Sequence, residues 1–193
     1  MASLAEHAAQ LRTALDQFDG LDAPLRGAAA AVAQCFLRGG KLLAAGNGGS
    51  AAEAQHLTSE LIGRLNSSSE RGPLPAIALH ADTSTVTALG NDYGFERVFA
   101  RQVEGLGRAG DVLVVLSTSG SSPNLVAAVD TARQLGLVTV GLLGQGPRPL
   151  HERCAHVVSA PSDNQQVVQE CHLVFVHVLT ELVEAQLVEG AAT

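Results

Sequence analysis

The stretch KLLAAGNGGSAAEAQHLTSE, residues 41 to 60, decides the fold. Its first residues, 41 to 45, form a short apolar run that breaks at Gly46, after which the pattern resumes with helical period. The order is a buried strand, a turn over Gly46 to Gly49, and a helix with Ser50 as its N-cap. Such a turn leaves backbone N–H groups uncovered at the positive end of a helix, which makes an anion cradle. His56 and Glu60 are four residues apart and project from one face of that helix. On an arbitrary helix this spacing more often marks a surface ion pair worth a few tenths of a kcal/mol than a metal site.

The same unit recurs downstream. DVLVVL, Asp111 to Leu116, is a β-branched run suited to a central parallel strand, and STSGSSPNLVAAVDTARQLG follows it. Ser117, Thr118, Ser119, Ser121 and Ser122 set hydroxyls around a glycine, with Pro123 at N1 of the next helix and Ser122 as its N-cap. A phosphate ester fits such a loop without a lysine, and the helix terminus adds up to about 2 kcal/mol in a partly buried geometry. One such loop reads equally well as a Ser-rich turn. Two in one chain favour an anion site.

Further strands are expected at Ala76 to Leu79, Val138 to Leu143 and Ala155 to Val158. Helices are expected over Leu4 to Phe18, Pro24 to Arg38, Ser84 to Leu89, Phe95 to Leu106 and Asn164 to about Glu189, with a polar loop, NSSSERGP, at 66–73. Strands alternating with helices imply right-handed crossovers and an α/β fold, a doubly wound five-stranded parallel sheet covered on both faces. Both Gly/Ser loops then fall at the carboxyl ends of strands, where ligands bind in such sheets.

At 193 residues the chain is read as a single domain, 1–193, whose helices over about 1–38 join the core or a subunit interface. A net charge of −7 and a pI near 5.4 argue against a nucleic-acid surface, which needs clustered Lys and Arg. Cys35, Cys154 and Cys171 show no C-x-x-C spacing, and no apolar run reaches the roughly 18 residues of a membrane span. A soluble cytoplasmic protein is expected. Aromatic residues make up only 3%, so Ala, Val and Leu must build the core.

Spacing also excludes other glycine-loop chemistries. Gly46-Asn47-Gly48 opens a loose G-x-G-x-x-A, but the next strand ends near His80 with Asp82 beyond it, much further on than the roughly 20 residues of a ribose-binding carboxylate. Neither loop supplies the Gly-Lys-Ser/Thr of a nucleoside triphosphate site.

AGNGGSAAEAQH at 45–56, LPAIALHADTSTVTALGNDYGFERVFARQVEGLG at 74–107, GDVLVVLSTSGSSPN at 110–124 and VQECHLVFVH at 168–177 together resemble the sugar isomerase (SIS) superfamily, and within it the phosphoheptose isomerases. The resemblance covers nearly everything from about residue 30 to 186. It implies interconversion of sedoheptulose 7-phosphate and D-glycero-D-manno-heptose 7-phosphate through an enediol(ate). By similarity Glu60 moves the proton between C1 and C2 and His177 is the partner acid. The substrate contacts implied are Asn47, Gly48, Gly49, Ser50, Glu60, Asn91, Asp92, Ser117, Thr118, Ser119, Ser122 and Gln169. One zinc ion is implied on His56, Glu60, Gln169 and His177, although Gln is a weak zinc ligand and a fully committed Glu60 is a poor base. The family is generally tetrameric.

Gln169 and His177 are eight residues apart, about 12 Å of rise and about 80° of rotation on one helix. If both are ligands, either that helix starts later or neighbouring subunits share a site. His172 and Glu170 could be solvated neighbours, and His177 with Glu181 forms a rival pair. The resemblance leaves two further classes open, a non-catalytic SIS binding or regulatory protein and an isomerase of another phosphosugar. Retention of Glu60 and His177 argues against the first; NDYGFE and the Gln169-Glu170 segment favour the heptose branch over the second. The chain departs from the family pattern at Glu53 for Asp, Ser121 for Asn and Gln165 for Thr.

Overall fold

The computed structural model describes residues 3–65 and 71–191, so residues 66–70 of the expected polar loop lie outside the described residues. Five strands form the sheet: β1 (Leu42–Gly46), β2 (Ala76–Ala78), β3 (Val112–Ser117), β4 (Val138–Leu143) and β5 (His156–Ser159). All pairings are parallel, in the order β2-β1-β3-β4-β5. The helices are α1 (Leu4–Leu15), α2 (Asp22–Leu37), α3 (Gly49–Ile62), α4 (Thr83–Tyr93), α5 (Val98–Leu106), α6 (Pro123–Gln134), α7 (Pro149–Arg153) and α8 (Gln165–Ala191).

Side-chain alternation along the strands builds two cores. Leu42 and Ala44 of β1, Val112, Val114 and Leu116 of β3, and Val140 and Leu142 of β4 pack with α2, α3 and α8. Their neighbours Leu43, Ala45, Leu113, Val115 and Leu143 pack with α5, α6 and α7. The sheet is apolar on both sides because each face is covered, so β1 and β3 read as unbroken apolar runs.

The fold class matches the expectation; several boundaries shift. The first helix stops at Leu15, and a 3₁₀ turn over Phe18–Leu21 leads into α2, where Pro24 sits inside the first turn. The helix expected at Ser84 to Leu89 starts at Thr83, where Asp82 caps it by accepting from the Thr85 N–H at 3.1 Å and hydroxyl at 2.6 Å, and runs to Tyr93. Gly94, at φ 81°, ends it. The segment 95–106 is a 3₁₀ turn followed by α5, and α7 had no counterpart in the sequence reading.

The expectation that no segment resembles a membrane span is corrected by α8. Gln165–Val188 is long and apolar enough by length and composition, with a mean hydropathy of 1.4. Its apolar character has a structural cause: Val167, Val168, Cys171, Phe175, Val176, Leu179 and Val183 belong to the core shared with α2 and α3.

Candidate active site

The strand order reverses direction between β1 and β3, and the loops that leave these two strands flank a crevice at their carboxyl ends. The β1 loop is shaped by glycine. A Cβ on Gly46 would lie 2.3 Å from the Ser50 carbonyl oxygen, and one on Gly49 would lie 2.4 Å from Gln169 Nε2. Gly48 adopts φ 57°, a left-handed conformation that favours glycine, and it occupies the N-cap of α3 in place of the expected Ser50. Ser50 is instead a buried residue inside the first turn. No side chain caps α3; Ser50 N donates to the Asn47 carbonyl at 3.1 Å and Ala51 N to the Gly48 carbonyl at 3.0 Å, so the turn closes on its own backbone.

The β3 loop is braced by its own hydroxyls. Ser117 Oγ accepts from Gly120 N at 3.0 Å, and Ser119 Oγ accepts from Ser121 N at 3.3 Å. Ser122 stands at the N-cap of α6 and Pro123 at N1, as expected, yet the Ser122 hydroxyl makes no capping bond. Two residues stitch the loops together: Asn47 Nδ2 donates to Asn124 Oδ1 at 2.9 Å, and Asn124 Nδ2 donates to Asn47 Oδ1 at 2.8 Å. The Asn47 side chain is thus engaged in holding the two loops. Asn124 is 3% exposed and had been given no role; its position two residues into α6, facing the β1 loop, is invisible to local sequence patterns.

Helices α3 and α8 bring together His56, Glu60 and His177, three of the expected site residues. His56 Nε2 lies 3.0 Å from His177 Nε2 and 3.4 Å from Glu60 Oε1. A loop residue outside these helices fixes the end of α3: Arg71 donates to the carbonyls of Glu60 at 2.7 Å and Leu61 at 2.8 Å, and pairs with Glu184 of α8 at 2.7 Å. The last carbonyls of the Glu60 helix and the helix that carries His177 are joined through one part-buried guanidinium. His172 is fully buried, with Nδ1 3.6 Å from Glu53 Oε2, and Glu170 accepts from His7 Nε2 at 2.8 Å, so neither is a freely solvated neighbour.

Two imidazole nitrogens 3.0 Å apart approach the roughly 3.3 Å that separates donors around a tetrahedral zinc with Zn–N bonds of about 2.0–2.1 Å. The pair, with Glu60 alongside, has the donor chemistry for zinc. Among the described residues no group of three or more His, Cys, Asp or Glu is assembled to hold a metal by itself. Gln169 packs its amide against Gly49, at the anion cradle, more than two helical turns from His177. Asn91 and Asp92 lie exposed at the end of α4, where Asn91 Nδ2 donates to Asp92 Oδ1 at 2.7 Å.

Residues 6–144 match the SIS domain family model. The phosphoheptose isomerase of Bradyrhizobium sp. (strain ORS 278) is 46% identical over 192 residues, covering 97% of this chain and 96% of that protein. Among solved structures, a phosphoheptose isomerase from Francisella tularensis superposes with a TM-score of 0.88 at 37% identity, covering 95% of this chain and 98% of its own. One from Neisseria gonorrhoeae gives 0.88 at 38% identity, covering 94% and 97%. The chain therefore belongs to the SIS domain family and falls among its phosphoheptose isomerases.

Proposed function

We propose that this chain interconverts sedoheptulose 7-phosphate and D-glycero-D-manno-heptose 7-phosphate, an aldose–ketose isomerisation, with Glu60 and His177 as its proton-transfer residues. The observation that supports this reading is the meeting of His56, Glu60 and His177 across α3 and α8, beside two helix starts without side-chain caps. The phosphate docks on the β3 loop, which leaves the other end of the sugar toward α3 and α8. In the aldose-to-ketose direction Glu60 takes the proton from C2 as the C1=C2 bond forms, and the C1 oxygen receives a proton from His177. His177 then accepts the O2 proton, and Glu60 returns its proton to C1. Each positioned acid or base is worth roughly 10²–10⁴-fold.

Zinc, when bound by His56, His177 and Glu60, supplies positive charge to the two oxygens on which negative charge develops. Gln169 of a second copy of the chain, or a substrate oxygen, completes the donor set. A homotetramer with shared sites accounts for this and for an unpartnered surface. Helix α4 buries none of its residues, while Tyr93, Phe95, Leu173 and Val174 are exposed. A fully active monomer in solution would exclude sharing. The cytoplasm is the compartment assigned to it, consistent with three free thiols.

The test follows aldoheptose formation by NMR in deuterated buffer, on metal-stripped protein with and without added zinc. Zinc-dependent product carrying deuterium at C2 is expected. Glu60→Gln is expected to lose roughly 10²–10⁴-fold in kcat while keeping its fold, measured at saturating zinc because the substitution also weakens a metal ligand. Unchanged turnover in that variant removes the base assignment. No turnover by a folded, zinc-loaded oligomer moves the chain to the non-catalytic sugar-binding class.

A further inference from the structure

The segment GQGPRP, residues 144–149, belongs to none of the motifs that carry the family resemblance, yet it forms a wall of a cavity beside the β3 loop. Glycines let it pack directly on the β3 loop: a Cβ on Gly144 would lie 2.2 Å from the Thr118 carbonyl oxygen. The contact is held by Gly144 N donating to Ser117 O at 3.0 Å and Leu150 N donating to Gly120 O at 3.0 Å. His151 Nε2 stands 3.1 Å from the Gly144 carbonyl oxygen and 3.2 Å from Ser159 Oγ, which anchors the far end of the segment. On this wall the Arg148 stem lies over Gly120, where an added Cβ would meet Arg148 Cβ at 2.9 Å and Cγ at 3.3 Å.

Arg148 therefore lines, with Thr118, Ser119, Ser121 and Gln165, a cavity of about 390 Å³. Asp163 lines the same cavity. Its carboxylate repels a dianion, which biases a phosphate toward the Arg148 side and leaves the acid to accept from sugar hydroxyls. A chain of net charge −7 attracts no anion at long range, so a local cation in this cavity carries disproportionate weight.

We propose that Arg148 is the phosphate-reading cation of this enzyme, adding a charge-assisted contact to a loop that otherwise offers only hydroxyls and amides. The assignment rests on the phosphosugar reading above and names one determinant within it. It implies that binding is stronger for the phosphate dianion than for the monoanion, and that it weakens with salt.

The probe is inorganic phosphate, titrated by calorimetry into the wild-type chain, Arg148→Gln, Arg148→Lys and Asp163→Asn. The three variants change exposed residues, and thermal midpoints verify that each is folded. Arg148→Gln is expected to weaken phosphate binding by about tenfold and to raise the KM for the sugar phosphate by a similar factor, as befits loss of one charge-assisted hydrogen bond. Arg148→Lys recovers part of the loss, and Asp163→Asn tightens binding. Equal affinities in wild type and Arg148→Gln, or no phosphate binding by wild type, overturn the proposal. The two readings separate cleanly. Turnover of the heptose phosphate with an unaffected Arg148→Gln leaves the isomerase standing and removes the arginine. Arginine-dependent phosphate binding without turnover does the reverse.

Discussion

The strand pair β1 and β3 is fastened at both ends by side chains of opposite character. At the amino end, Lys41 Nζ lies 2.5 Å from Asp111 Oδ2, and Asp111 also accepts from the backbone N–H groups of Lys41 and Arg108, each at 2.9 Å. At the carboxyl end the fastening is neutral, the reciprocal amide pair of Asn47 and Asn124. A fixed negative charge is harmless, and strongly held, where the strands begin. Where they end, the proposed site takes a phosphate, and a further carboxylate on the fastening pair would oppose that ligand. The same mechanical task is thus solved ionically away from the site and without charge within it.

The largest expected effect comes from the ionic end. Burial alone would raise the Asp111 pKa, but the bonds donated by the Lys41 ammonium, the Lys41 N–H and the Arg108 N–H outweigh it and hold the carboxyl below its ordinary range. A group whose folded pKa is depressed contributes stability that is present above its unfolded value, about 3.9, and that is lost as pH falls through the folded value. Asp111→Asn is expected to cost about 3 kcal/mol near pH 7, because Lys41 loses its partner in a part-buried position. Urea unfolding of both proteins at neutral pH and again below about pH 3.9 checks the sign: the gap should shrink as acid protonates the wild-type carboxyl. A gap that stays constant with pH would mean that packing, not charge, fastens this end.

Next in size is a steric change at the carboxyl end. Gly46→Ala forces a Cβ against the backbone of Ser50, at 2.3 Å from its carbonyl oxygen, so the start of α3 must shift. Overpacking of this kind costs about 1–3 kcal/mol. Moving the start of α3 also moves its first-turn amides and the helix that bears His56 and Glu60. The expected result is a drop in kcat at least as large, in relative terms, as the drop in thermal midpoint. A destabilised enzyme with normal kcat would show that the β1 loop tolerates displacement.

Legibility in the sequence follows the same division. Apolar runs and helical period revealed the five strands and the long helices, because these patterns are local consequences of burial on both faces of a sheet. The glycine turn after β1 was legible, but its cap was misassigned: Ser50 has the preferred side chain, while the close approach of Ser50 to Gly46 lets Gly48 take the cap position. The residues proposed for proton transfer came from a family pattern, and the meeting of His56, Glu60 and His177 across α3 and α8 is a tertiary fact that spacing alone does not contain. Asn124, Arg71 and Arg148 were missed for one reason. Each acts on a partner distant in sequence, at Asn47, Glu184 and Gly120, from a segment whose local composition reads as an ordinary helix start or loop.

The smallest expected effect on stability is the most informative about the comparison. Asn124→Asp keeps the shape of the residue and one acceptor for Asn47 Nδ2, but it loses the bond donated to Asn47 Oδ1 and sets two oxygens face to face. The loss in stability is expected to be about 1–2 kcal/mol, the cost of one buried hydrogen bond replaced by an unpaired acceptor. Its charge would act over a few ångströms on whatever anion occupies the cradle, so the KM for a phosphosugar should rise by more than stability predicts, and the excess should fall with added salt. Asn124→Ala, which removes the bonds without adding charge, separates the two terms. If both variants raise KM equally, the amide pair matters only as a fastener; if the aspartate is several-fold worse, neutrality at this end of the strands is itself part of how the site accepts its ligand.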